Sequence, residues 1–162
     1  MAYQKLQVRD GLVVIPSATV NIPDPATEIV SSTTDGVDAG KLEDSSQNFI
    51  ALGVTPGMIV YNTTDNTAAV VTGIDTDALL SLSVDIMDAA ENYVIYGSAT
   101  EGCILYVGGT GNLTAVMATD KDVAAASQKE LTFENLPDAS FLPIQVCRVD
   151  DTTTATNIIA LF

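Results

Sequence analysis

Few residues in this chain are of a type that does chemistry. There is no histidine, which removes the commonest general base and, with it, the Ser–His and Cys–His nucleophile pairs. Two cysteines stand in apolar runs, Cys103-Ile104-Leu105-Tyr106-Val107 and Ile144-Gln145-Val146-Cys147-Arg148-Val149. A reactive thiolate needs cationic company to lower its pKa. These two have almost none, so both read as small buried hydrophobes. No Gly-x-Ser-x-Gly elbow occurs. A carboxylate pair could cleave glycosides without histidine, but such pairs sit in aromatic grooves, and this chain has five Tyr, four Phe and no Trp. The expectation is a protein that is not an enzyme.

Metal chemistry is equally sparse. Asp35, Asp38, Asp75, Asp77, Asp85, Asp88, Asp150 and Asp151 fall in loop-like stretches, and calcium takes oxygen ligands from such loops. The Asp75-x-Asp77 pair lacks the Gly and Glu that would complete an EF-hand. Two Cys and no His disfavour zinc. The expectation is no cofactor and solvated loop charge, with a structural calcium at a subunit contact as the alternative. The cluster Gly108-Gly109-Thr110-Gly111 has neither a lysine nor a following helix, so it reads as a turn and not as a phosphate cradle.

The elements around these residues read as strands. Met58-Ile59-Val60-Tyr61, Ala68 to Ile74, Leu79-Leu80-Ser81-Leu82-Ser83, Tyr93 to Tyr96, Ile104 to Val107, Leu113 to Met117, Leu131 to Phe133, Leu142 to Val146 and Ile158 to Phe162 are short β-branched, leucine-rich or aromatic runs. Asn, Asp, Gly and Thr separate them about every ten residues, the pattern of a sandwich or small barrel. The glycines between Val107 and Leu113 predict a hairpin joining those two runs. Asp120 to Ala126 predicts one short helix capped by Asp120, and Asp85 to Ala90 a single helical turn. Phe162 is an apolar last residue in the sequence, which points to a tie into a sheet or an interface.

Two links divide the chain. Asn21-Ile22-Pro23-Asp24-Pro25-Ala26 is stiff and turn-rich, and Gly97-Ser98-Ala99-Thr100-Glu101-Gly102 is built of small residues. One or two strands are not stable alone, so residues 1–26 are expected to join 99–162 in one domain. Residues 27–98 would then be an inserted second domain. The expected fold is all-β: an antiparallel β-sandwich or barrel-like domain with an inserted small β-domain.

Charge narrows the partners. There are 6 Lys and Arg against 21 Asp and Glu, a net charge of −15. Nucleic-acid binding depends on basic residues neutralising phosphates, and an anionic membrane surface repels such a chain; neither partner is expected. The first residues carry no apolar core segment of a signal peptide, so synthesis in a reducing cytoplasm is expected. Charged residues are 17% of the chain, below the usual quarter or so. Interface centres are depleted in charge, so some of the surface is expected to be covered by neighbours.

A family likeness rests on particular residues. They are Gly102-Cys103-Ile104-Leu105-Tyr106-Val107-Gly108-Gly109, then Leu131-Thr132-Phe133, Leu136-Pro137, Leu142-Pro143-Ile144-Gln145-Val146, Thr152-Thr153-Thr154-Ala155 and Ile158-Ile159-Ala160-Leu161. This series resembles the small virion proteins of tailed phages and gene-transfer-agent particles, including head-spike base proteins. The central part, with Gly53-Val54-Thr55-Pro56-Gly57-Met58 and Leu80-Ser81-Leu82-Ser83, is similar to an inserted phage structural module. The chain departs from the pattern at Met117 to Lys129, where an Ala-rich connector replaces a tight hairpin.

The resemblance implies a capsid decoration (cement) or head-spike base protein on the capsid exterior of a virion. Its partners would be itself, as a trimer or pentamer, the major capsid protein and a spike or fibre protein. The expected interface residues are Ile104, Tyr106, Ile158, Ile159, Leu161 and Phe162, on the two most apolar strands; plain core is the alternative for the same strands, since apolar alternation alone does not separate core from interface. Two alternatives stand beside this: a carbohydrate-binding host-recognition module, which exposed Tyr61, Tyr93 or Tyr96 would favour, and a tail or baseplate adaptor.

Overall fold

A computed structural model describes residues 8–162; residues 1–7 of the expected 1–26 stretch lie outside them. Among the described residues the strands are β1 (Gly11–Val13), β2 (Glu28–Thr33), β3 (Lys41–Glu43), β4 (Ile59–Asn62), β5 (Thr67–Ile74), β6 (Leu79–Leu82), β7 (Asn92–Tyr96), β8 (Cys103–Gly109), β9 (Gly111–Met117), β10 (Glu130–Leu136), β11 (Ser140–Val149) and β12 (Thr156–Leu161). They form two six-stranded antiparallel sheets, ordered β1-β12-β8-β11-β9-β10 and β2-β7-β4-β5-β6-β3. The fold is all-β and sandwich-like. The first, terminal sheet takes β1 and everything from β8 onward; the second lies wholly between residues 28 and 96. The two links meet where Pro23 pairs with Ala99 and Thr100 N–H donates to the Ile22 carbonyl.

Each sheet has its own core. Cys103, Leu105 and Val107 from β8 meet Leu113 and Ala115 from β9 and Ile158 and Ala160 from β12. Alternation explains the choice, because successive side chains point to opposite faces. In the second sheet Leu80 and Leu82 turn inward and Ser81 stays nearer solvent, joining Leu42, Phe49, Val60, Tyr93 and Ile95. A third cluster packs the two units together through Ile15, Val20, Ile59, Tyr61, Ala68 and Tyr96.

Two local expectations are corrected. Strands β8 and β9 do not form a hairpin: β11 lies between them and pairs with Cys103 on one side and Met117 on the other through Val146. Only Thr110 separates the two strands, which both run antiparallel to β11, and the Asn112 carbonyl accepts from the Thr154 and Ala155 amides. Gly111 is required there. Its φ is +147°, and a Cβ would fall 2.5 Å from the Ala155 nitrogen. No α-helix forms at either predicted place among the described residues; the first holds two single 3-10 turns, Ala118–Asp120 and Ala125–Ser127. Asp120 ends a 3-10 turn, Ala118–Asp120, and its carboxylate accepts from Lys129 N–H across the connector. Asp85 to Ala90 is irregular, because its backbone bonds to other elements: Thr34 Oγ1 takes the Asp88 carbonyl and Asn62 Nδ2 takes that of Ile86.

Candidate assembly surface and the buried polar clusters

Strand register places the surface residues in rows. Leu12, Ala160, Leu105 and Leu142 lie side by side across β1, β12, β8 and β11 and point into the terminal core. The next row is Val13, Ile159, Tyr106 and Phe141, and alternation turns it outward. Val13 and Phe141 are each 63% exposed, and Tyr106 and Ile159 are half-buried. The Tyr106 and Phe141 rings tilt against each other with centroids 5.1 Å apart. Leu161, also half-buried, stands on the same face in the row opposite Gly11. None of these residues is charged, in a chain of net charge −15.

Three of the six expected interface residues therefore reach the outer face: Tyr106, Ile159 and Leu161. The other three lie in or against the core, the alternative for these strands. Ile158 shares the parity of Ala160 and lies in the core. Phe162 follows the same parity and packs against that core, while its backbone pairs with Asp10. Ile104 is 6% exposed and offers no surface. Val13 and Phe141, the two most exposed members of the row, were not in the expected set. The three-residue strand β1 is too short for a periodicity signal, and Phe141 stands just outside the apolar run that begins at Leu142.

A second row crosses the same face of the sheet, with different chemistry. Arg148, Val116 and Glu130 align across β11, β9 and β10. The Arg148 side chain is fully buried. Its Nη2 donates to Glu130 at 3.1 Å and its Nη1 to Asp150 at 3.1 Å. Its Nε donates to Gln128 Oε1 at 3.0 Å, and Nη1 also reaches the carbonyls of Ser17 and Ala18. A buried guanidinium has to be paired and hydrogen-bonded to be tolerated. This one ties the segment after β1, the connector before β10 and the turn after β11. Burial tends to raise the Asp150 carboxyl, but bonds from Thr152 and the Arg148 charge hold it below its usual range.

The second unit buries an anion instead. Asp44 is 1% exposed and accepts from Ser32 Oγ at 2.6 Å, Tyr93 OH at 2.8 Å and the Ser46 amide and hydroxyl at 2.9 and 2.6 Å. Burial works to raise its pKa, and these donors outweigh it, leaving the carboxyl below its usual range. Burial together with the Asp44 charge pushes the Tyr93 hydroxyl up.

The remaining chemical candidates are dispersed. Burial pushes the Cys103 thiol up to about 12 and Cys147 to about 11, and both are free; such thiols stay protonated at neutral pH. Asp75 is held by Lys41 at 2.8 Å, Asp35 accepts from Ser45 and Asp85 from the Gly40 amide. A cleft of about 240 Å³ is lined by Asp65, Asp85, Asp88 and Glu91, but one Glu91 oxygen is already engaged by Asn62 and by the Asp88 amide. Among the described residues no three His, Cys, Asp or Glu side chains converge to hold a metal ion, and no helix is long and apolar enough to cross a membrane. Tyr61, Tyr93 and Tyr96 are at most 5% exposed, so they form no stacking platform for a sugar. No protein-family model, no curated protein and no solved structure matches this chain.

Proposed function

We propose that this chain is a non-enzymatic structural protein that assembles with copies of itself through the outer face of the terminal sheet, as a capsid decoration or head-spike base protein on the exterior of a virion. One observation carries the self-assembly: the charge-free row Val13–Ile159–Tyr106–Phe141 with its two exposed members. A contiguous exposed apolar patch marks an interaction site. Copies of a chain with net charge −15 repel wherever acidic surfaces meet, and this face is where two copies come together without opposing carboxylates. The virion setting rests on the sequence resemblance, and the acidity fits a position outside a shell of packaged DNA. The glycan-recognition alternative loses the exposed tyrosines that would favour it.

The test is the mass of the purified chain in solution, by light scattering with and without EDTA. A trimer or pentamer indifferent to EDTA is the expected result. An oligomer that dissociates in EDTA assigns the contact to a structural calcium, and a monomer in both conditions rejects self-assembly. Fractionation of virions tests the setting: the protein is expected with the heads, and its recovery with isolated tails alone would favour the adaptor reading.

A further inference from the structure

The two sheets have four edge strands, β1, β10, β2 and β3, and three of them are guarded. Natural edges are blunted by charges and bulges, because unpaired N–H and C=O groups template the pairing of another strand. Strand β10 carries Glu130 and Glu134 and a register shift between Phe133 and Leu136; β2 carries Glu28 and a shift before Val30; β3 carries Lys41 and Glu43. Strand β1, Gly-Leu-Val, has neither charge nor bulge.

Its hydrogen bonding leaves the edge open. Asp10 exchanges bonds with Phe162, and Val14 N–H donates to the Ile158 carbonyl. In an antiparallel ladder such pairs alternate with non-bonded ones, so the polar groups of Gly11 and Val13 point away from β12. The Asp10 carboxylate accepts from the Gly11 N–H at 2.8 Å, and among the described residues neither backbone group of Val13 has a partner. Beside this edge lies a cleft of about 350 Å³ whose walls include Leu12, Ile15, Tyr61 and Tyr96. The cleft lining itself carries no charge; Asp10 and Glu28 set negative charge next to its Tyr96 wall, with Arg9 at the strand end the one described cation nearby in the chain.

We infer that the open edge of β1 and its cleft form a strand-addition site for an extended segment of a partner protein, apolar at alternate positions and basic at its flanks. Main-chain bonds to Val13 supply the affinity, alternate side chains fill the cleft, and this gives the specificity of such sites. The charge decides the occupant. The guarded edges of a second copy are mostly acidic and meet Asp10 and Glu28 unfavourably, whereas a basic flank is attracted. The site shares Val13 with the outer apolar row but uses its backbone edge and the cleft beside it, so peptide binding is read separately from the self-assembly proposed above.

The test uses the full chain and two synthetic peptides, Lys-Val-Thr-Val-Thr-Val-Lys and its counterpart with Glu at both ends. Binding is read by fluorescence anisotropy, and protection of the Val13 amide by hydrogen exchange. The basic peptide is expected to bind about tenfold more tightly than the acidic one and to protect that amide. Val13→Pro removes a donor that β12 does not use, and proline is tolerated on edge strands. It should abolish peptide binding with the melting temperature unchanged. Asp10→Asn with Glu28→Gln keeps the Gly11 bond and should cut the preference for the basic peptide about threefold. Equal binding of both peptides, binding that survives Val13→Pro, or no binding of either peptide would overturn the inference.

Discussion

Two rows of side chains cross the same face of the terminal sheet, and both pass through β11. In one, Arg148 answers Glu130 over Val116 and takes up Asp150, Gln128 and two carbonyls of the segment after β1. In the other, Phe141, Tyr106, Ile159 and Val13 have only one another, and the two outermost are 63% exposed. The first row is completed from within the chain. Each nitrogen of the guanidinium finds an acceptor, and the cost of burying a charge is met by distant segments that it fastens. Among the described residues nothing covers the exposed members of the second row. The difference separates the part of the sheet that closes the unit from the part at which a neighbour begins.

The most severe way to break this comparison is to remove the cation. Arg148→Met leaves Asp150 and Glu130 unpaired beside two carbonyls. Breaking one side of a buried pair costs about 3–5 kcal/mol, so urea melts should show a large loss of stability. Replacing Arg148, Glu130 and Asp150 together by Met, Gln and Asn should recover most of it, because the desolvation cost disappears with the charges. If the single variant melts like the unchanged chain, the cluster does not hold the unit together.

Asp44 sharpens the same point from the other unit, where a buried anion is met by hydroxyls and an amide. Asp44→Asn keeps the shape but turns a donor toward Ser32 and Tyr93. A buried unsatisfied group costs about 1–3 kcal/mol, a smaller loss than at Arg148 and again measurable by urea melts. The pH dependence has a definite sign. Asp44 and Asp150 are both lowered in the folded chain, so each contributes stability that is present above the unfolded value of about 3.9. That contribution is lost as pH falls through the folded value. The urea midpoint should be level from neutrality to about pH 5 and decline below about pH 4. Asp44→Asn should make the decline shallower; an unchanged slope would show that this carboxylate is not depressed.

The smallest effect belongs to the surface. Lys41 and Asp75 form an exposed pair at 2.8 Å, and such pairs contribute little and are screened by salt. Lys41→Ala should leave the urea midpoint almost unmoved at physiological salt. A large shift would mean that β3 and β6 depend on that pair.

Much of the fold was legible because alternation and turn chemistry agreed. Leu80-Ser81-Leu82 and the run from Cys103 to Val107 lie in strands where the spacing predicted them. The glycines near Thr110 predicted a reversal, but β8 and β9 both run antiparallel to β11 and so in the same sense. The glycines carried no information on which strand pairs with which, and β11 came between. The Ala-rich connector looked helical on propensity alone, yet it offers no apolar stripe to pack, and helix stability comes mostly from such packing. The candidate surface was half legible. An apolar run announces burial, but the register assigns each residue to a face, so Ile158 and Ile159 were indistinguishable until β12 was placed beside β8. Arg148 was read only as one of six scattered cations, because its partners come from positions 17 to 150.

The most direct measurement is the solution mass of two full-length chains by light scattering, the unchanged protein and Phe141→Asp. Phe141 is too exposed to support the core, so the substitution should leave thermal melting within about 0.5 kcal/mol of the original. Removal of residues 158–162 would be less informative, since it takes away a central strand of the sheet. The account predicts a trimer or pentamer for the unchanged chain and a 16.9 kDa monomer for the variant. A monomer in both, or an oligomer that the aspartate leaves intact, would contradict it.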